Sequence, residues 1–219
     1  MNLDFAQIVP YIPFILNGIK VTLQVTLFSV VLGFLWGSVL ALIKISNIRL
    51  LKALAVGYTS IFRGTPLILQ LTLVYFATPQ LTGYNISQFE AAVLTFALNS
   101  AAYISETIRA GILAVDKGQW EAAKSLGVPY RKMMTDIIFP QAVKNILPAL
   151  VNESIALLKE SALVSTIGLA DLMQNANIVK GTTFRYFEPY LLAGFSYYVM
   201  VMLLTWVARV LERRMRRSD

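Results

Sequence analysis

The sequence predicts an all-α polytopic membrane bundle, and three observations carry that expectation. Of its 219 residues, 57% are hydrophobic and 14% are charged, beyond the roughly 45–50% apolar share of soluble domains. The apolar residues gather into uncharged runs at Val21–Ile43, Gly64–Phe89 and Pro189–Ala208, and about 18 such residues suffice to cross a hydrocarbon core. Lys and Arg cluster beside the ends of the apolar runs rather than on an aromatic-interleaved face of their own, so the net charge of +7 does not read as a nucleic-acid surface.

Taken in order, the first residues, "MNLDFAQIVPYIPF", lack a positive n-region and a small-residue cleavage site. They read as part of the mature chain, lying along the interface. Five spans are expected, at about 14–43, 55–77, 88–114, 134–158 and 187–211. Gly64 and Pro66 disturb the second, whose run passes into a loop around Pro79 and Gly83. The third and fourth carry Glu106, Arg109, Asp136, Lys144 and Glu153, which marks them as helices whose polar faces look into protein rather than lipid. Between them, "DKGQWEAAKSL" from Asp116 to Leu126 holds good helix formers. It opens on an acidic residue and stops at Gly127 and Pro129, ordinary helix punctuation. No fixed-period repeat or low-complexity tract divides residues 1–219, which read as one domain.

Orientation follows from the basic residues, which are enriched in short cytoplasmic loops. Lys44, Arg49 and Lys52 follow the first span, Lys117, Lys124, Arg131 and Lys132 follow the third, and Arg213, Arg214, Arg216 and Arg217 form the tail. Residues 77–88 carry no Lys or Arg, and 159–188 carry Lys159, Lys180 and Arg185. With five spans, the N-terminus is expected outside and the C-terminus in the cytoplasm.

Several activities are excluded by residue type. The chain has no Cys and no His, which removes thiol chemistry, Cys/His zinc sites and histidine bases. Gly118–Ser125, "GQWEAAKS", is one residue from a phosphate loop, but Ala123 replaces its glycine and Glu121 would repel phosphate. Ser161 near Lys159 has no oxyanion hole. No catalytic residue, metal site or bound cofactor is therefore expected on this chain.

The spacing Glu121-Ala122-Ala123, three residues, Gly127, nine residues, Ile137, one residue, Phe139-Pro140 resembles the EAA loop of ABC importer permeases, E-A-A-x3-G-x9-I-x-L-P. Phe139 stands where leucine is usual. "FRGTPLILQL" at Phe62–Leu71, "SAAYISETIRAGI" at Ser100–Ile112 and "NESIALLKESALVSTIG" at Asn152–Gly168 extend the resemblance to the polar amino acid branch of the family.

The resemblance implies a type I importer permease fold in a bacterial cytoplasmic membrane. It also implies a separate ABC ATPase subunit carrying ATP and Mg, a second permease copy or paralogue, and an extracytoplasmic solute-binding protein. The helix at about 116–130 would dock in a cleft of the ATPase through Glu121, Ala122, Ala123 and Gly127. The two small alanines leave a low surface suited to a groove, and substrates would move by alternating access.

Ionisable residues within spans are the candidates for substrate contact. Glu153, Leu157 and Glu160 share one helix face, as do Asn99, Tyr103 and Glu106, and Arg63, Thr65 and Gln70 flank Pro66. In one reading Arg63, Thr65 and loosened backbone hold a substrate carboxylate, with Glu153 and Asn99 or Glu160 at its positive end. Two acidic residues on one face favour a cationic amino acid such as arginine, lysine or histidine. In the other reading these groups, including an Arg63–Glu pair, Glu106 with Arg109 or Lys159 with Glu160, hold the bundle together. A proton- or ion-coupled secondary transporter is the functional alternative, and a purely structural membrane subunit the third.

Overall fold

The computed structural model describes residues 5–216. Met1–Asp4 of the N-terminal segment and Arg217 of the basic tail lie outside the described residues, as do the side chains of Arg214 and Arg216. Two short 3-10 turns lead into α1, Ile12–Ile45, followed by α2, Arg49–Gly64, α3, Leu67–Thr82, and α4, Gln88–Leu113. Then come α5, Lys117–Ser125, the single turn α6, Tyr130–Lys132, a π-helical stretch at Met133–Ile138, and α7, Phe139–Glu160. A 3-10 segment at Ser161–Ile167, α8 at Leu172–Thr183 and α9 at Phe187–Arg216 complete the chain.

Among the described residues, α1 with its leading turns and α9 are each long and apolar enough to cross a membrane alone. The second expected span is not one helix. α2 and α3 meet at 103°, because Thr65 is held extended (φ −122°, ψ 147°) in front of Pro66, whose ring disfavours helical geometry in the residue before it. The loop expected at Pro79 is helical, since α3 runs through Pro79 to a left-handed stop at Gly83. The segment 159–188 carries α8, capped by the Asp171 carboxylate, which accepts from Gln174 N at 2.8 Å.

α4 is the central helix. It opens on a capping box in which Glu90 N donates to Ser87 Oγ at 3.2 Å and Ser87 N donates to Glu90 Oε2 at 2.8 Å. It then packs along α1, its most extensive contact, and against α3 and α7. Small residues permit the approach: a Cβ on Gly37 of α1 would lie 2.9 Å from the Ala101 carbonyl oxygen. Helix association in lipid rests on close packing of this kind, because lipid offers no apolar penalty to escape. Outward-facing Leu191, Phe195, Leu203 and Trp206 give α9 the apolar exterior of a lipid-contacting helix.

Candidate functional site

The break between α2 and α3 leaves the last carbonyls of α2 without helical partners, as every helix end does. Two buried amides satisfy one of them, Phe62 O. Gln70 Nε2 donates to Phe62 O at 2.9 Å, Thr65 O at 3.1 Å and Thr65 Oγ1 at 2.8 Å. Asn99 Nδ2, from α4, donates to Phe62 O at 3.0 Å and to Gln70 Oε1 at 3.0 Å. The loosened backbone expected to meet a substrate is therefore occupied from within at Phe62 O and Thr65 O, and Gln70 is a structural residue of the break. Asn99 retains one acceptor, Oδ1, that takes no hydrogen bond from the described residues.

Arg63 and Tyr103 sit on the open side of this break. The Arg63 guanidinium lies 5.2 Å from the Tyr103 ring centroid, and Arg63 makes no salt bridge among the described residues. The Arg63–Glu pair is thus replaced by a cation–π contact that leaves its N–H groups uncommitted. Thr65 is exposed, its hydroxyl donating to Ile61 O at 2.8 Å.

On α7, Glu153 lies beside Ser100 of α4. The Ser100 hydroxyl is buried, and among the described residues the Glu153 carboxylate is the acceptor it faces. Glu153 is part-buried, within electrostatic reach of Glu160, and has no salt bridge among the described residues. Arg63 against Tyr103 and Glu153 beside Ser100 thus both border residues 99–103 of α4, and neither has a salt-bridge partner among the described residues. Leu157 is instead in the core: it is 3% exposed in the apolar cluster of Val25, Leu71 and Phe96. Glu160 is exposed at the end of α7, beside Lys159.

Glu106 belongs to a different cluster, at the α5 end of the bundle. Lys44 Nζ lies 2.6 Å from Glu106 Oε1 and donates to Thr59 Oγ1 and Ser105 Oγ, each at 3.0 Å, while Arg109 pairs with Glu106 Oε2 at 2.9 Å. Lys44 is 3% exposed. Counted above as a loop charge, it instead ties α1, α2 and α4 together, and the orientation reading rests there on Arg49 and Lys52. Its length hides this in the sequence, because a lysine near a helix end reads equally as a solvated flank.

The short helix α5 is closed at both ends. Asp116 Oδ1 accepts from Gly118 N at 2.7 Å. At the other end Val128 N donates to Ala123 O and Gly127 N to Lys124 O, both at 3.0 Å, a Schellman stop that needs a left-handed residue. Gly127 supplies it at φ 67°. Glu121 and Ala122 are exposed, but Ala123 is 2% exposed, packed with Val115, Met133 and Ile138. The two alanines therefore face differently, one to solvent and one to the bundle. Ala122 leaves the outer surface low, while Ala123 lets α5 sit close to the bundle.

Residues 6–217 match the family described as the binding-protein-dependent transport system inner membrane component. The chain belongs to this family. It is a membrane permease component, and the chain itself is not catalytic. Among similar proteins, the permease is 54% identical over 219 residues, all of both chains, to the arginine transport system permease protein ArtQ of Bacillus subtilis. It is 50% identical over 206 residues, 94% of each chain, to the putative glutamine transport system permease protein GlnP of Rickettsia felis. A solved structure described as an amino acid ABC transporter with histidines is 48% identical, with a TM-score of 0.93 over 98% of this permease and 100% of that chain. The MetNI methionine transporter, at 21% identity and a TM-score of 0.77, shares the fold. The type I importer permease fold is thus present, with α2–α3 as the bent element and α8 added between the last two long helices.

Proposed function

We propose that this permease imports cationic amino acids in an ATP-driven complex, with α5 docked in a separate ATPase subunit at the cytoplasmic face. The observation that carries the substrate reading is Glu153: a part-buried carboxylate within a long helix that makes no salt bridge among the described residues. Such a group needs a partner, and an amino acid supplies one. Arg63, stacked on Tyr103 with its N–H groups open, supports binding of the substrate carboxylate, and Thr65 borders it. Asn99 Oδ1 is the neighbouring acceptor for an ammonium or guanidinium group.

The arginine assignment of the Bacillus subtilis relative and the histidines named for the 48% identical structure support the same class. The Rickettsia relatives named for glutamine favour a neutral substrate instead. The exposed faces of Glu121 and Ala122 support docking of α5, with ATP and Mg bound by the ATPase. The N-terminus is then outside and the C-terminus cytoplasmic, and the permease works as a pair with a second copy or a paralogue, served by a solute-binding protein. The test is ATPase stimulation in the reconstituted complex by arginine, lysine, histidine and glutamine. Stimulation by glutamine alone would overturn the cationic reading.

A further inference from the structure

A groove of about 850 Å³ runs between α1, the end of α4 and the start of α7. Its walls are almost wholly apolar, formed by Leu42, Ile45, Ile108, Phe139, Val143 and Leu147. Ser46, Asn47 and Tyr130 line it together with Thr135, and the hydroxyl of its other polar residue, Ser38 in the α1 wall, donates back to Phe34 O at 2.7 Å. From Phe34 to Ile45 the α1 wall is about 16 Å long at 1.5 Å per residue, and one leaflet of a hydrocarbon core is about 15 Å deep.

Arg131 and Lys132 directly follow Tyr130, are exposed, and make no salt bridge among the described residues. Asp136, the nearby carboxylate, already accepts from the Thr135 hydroxyl. Arg49 and Lys52 stand on the first turn of α2, just past Asn47.

We propose that this groove binds one acyl chain of an anionic phospholipid from the cytoplasmic leaflet, with the phosphate at Ser46, Asn47 and Tyr130 beside Arg131 and Lys132. A shaft one leaflet deep whose walls are apolar but for the backbone-bonded Ser38 hydroxyl, with positive charge beside Ser46, Asn47 and Tyr130, has the amphipathic profile of a lipid. A packed helix of a second copy would not need that grading. Basic pockets between membrane helices favour anionic headgroups. The wall formed by Met134 and Thr135 belongs to the π-helical stretch that follows α5, so the lipid contacts the segment joining the docked helix to α7. The leaflet rests on the orientation given under the proposed function; the groove chemistry does not.

The chain contains no cysteine, so Val143→Cys carries a single fluorophore inside the groove of the permease–ATPase complex in nanodiscs. Titration with brominated phosphatidylglycerol is expected to reach half-quenching at a mole fraction roughly tenfold below that for brominated phosphatidylcholine. The exposed double variant Arg131→Gln/Lys132→Gln is expected to remove that difference while leaving quenching by phosphatidylcholine. Equal quenching by the two lipids in the native background overturns the proposal. So does cross-linking of Val143→Cys between two copies, which would make the groove a permease–permease contact. Labelling of Lys124→Cys in intact cells by a membrane-impermeant maleimide tests orientation separately: a positive result overturns the leaflet and the topology while the lipid preference stands.

Discussion

Lys44 shows how much one side chain can hold. Its ammonium is buried between three helices, with Thr59, Ser105 and Glu106 all within 3.0 Å. Lys44→Met keeps the apolar stem and deletes the charge, leaving Glu106 with Arg109 alone. The expected cost is about 2–3 kcal/mol, in the range for a hydrogen-bonded buried charge, read as a lower unfolding midpoint in detergent. Lys52→Met, at an exposed position, is expected to leave the midpoint unchanged, and equal midpoints for both variants would show that the cluster contributes nothing. The sequence displays Glu106 and Arg109 as a pair one turn apart, but not their third member. Lys44 is 62 positions from Glu106, and local pattern carries no such contact. The same limit applies to Asn99 and Gln70: both are visible as polar residues in spans, yet only the fold reveals that each donates to Phe62 O.

Among the elements, α1 and α4 depend on small residues where they touch. Gly37→Ala is expected to destabilise the permease, because the added methyl would stand 2.9 Å from the Ala101 carbonyl oxygen and from Ile104. Gly57→Ala on α2 meets nothing within 4 Å and is expected to stabilise by about 0.5–1 kcal/mol through lower unfolded-state entropy. Thermal unfolding of the two variants side by side checks the sign of each, and destabilisation by both would remove the contact argument. For α5, Gly127→Val places a β-branched residue in a left-handed conformation that costs about 1–2 kcal/mol. Steric space is not the obstacle, since nothing surrounds that position within 4 Å. The variant is expected to lose coupling between ATP hydrolysis and uptake, while Gly127→Asn, which tolerates this conformation, keeps most of it. Full coupling in the valine variant would separate the helix stop from transport.

α5 was readable because its boundary residues, Asp116 and Gly127, act through local backbone geometry. The break at Gly64–Pro66 was readable for the same reason, though not the Gln70 and Asn99 amides that meet there at Phe62 O. α8 was missed. Its N-cap Asp171 is a local signal, but Tyr197 also donates to that carboxylate, at 3.1 Å, and the apolar residues Leu172, Ala176 and Val179 find their core only against α1, α7 and α9.

At the scale of the whole molecule, the outer surface of α9 is apolar, whereas α4 is nearly enclosed and carries the polar groups on both its sides. The apolar outer runs announced a membrane protein through composition. Which polar groups lie against α4 was hidden, because Arg63 and Glu153, far apart in the sequence, reach it at Tyr103 and Ser100 only in the fold. The central claim is that Glu153 holds the positive end of a cationic amino acid during ATP-driven import. Its most direct test is ATPase stimulation by arginine in the reconstituted complex, comparing native permease with Glu153→Gln. The half-stimulating arginine concentration is predicted to rise at least about tenfold, the equivalent of 1.4 kcal/mol, while ATPase activity without substrate stays the same. An unchanged half-stimulating concentration would contradict the account.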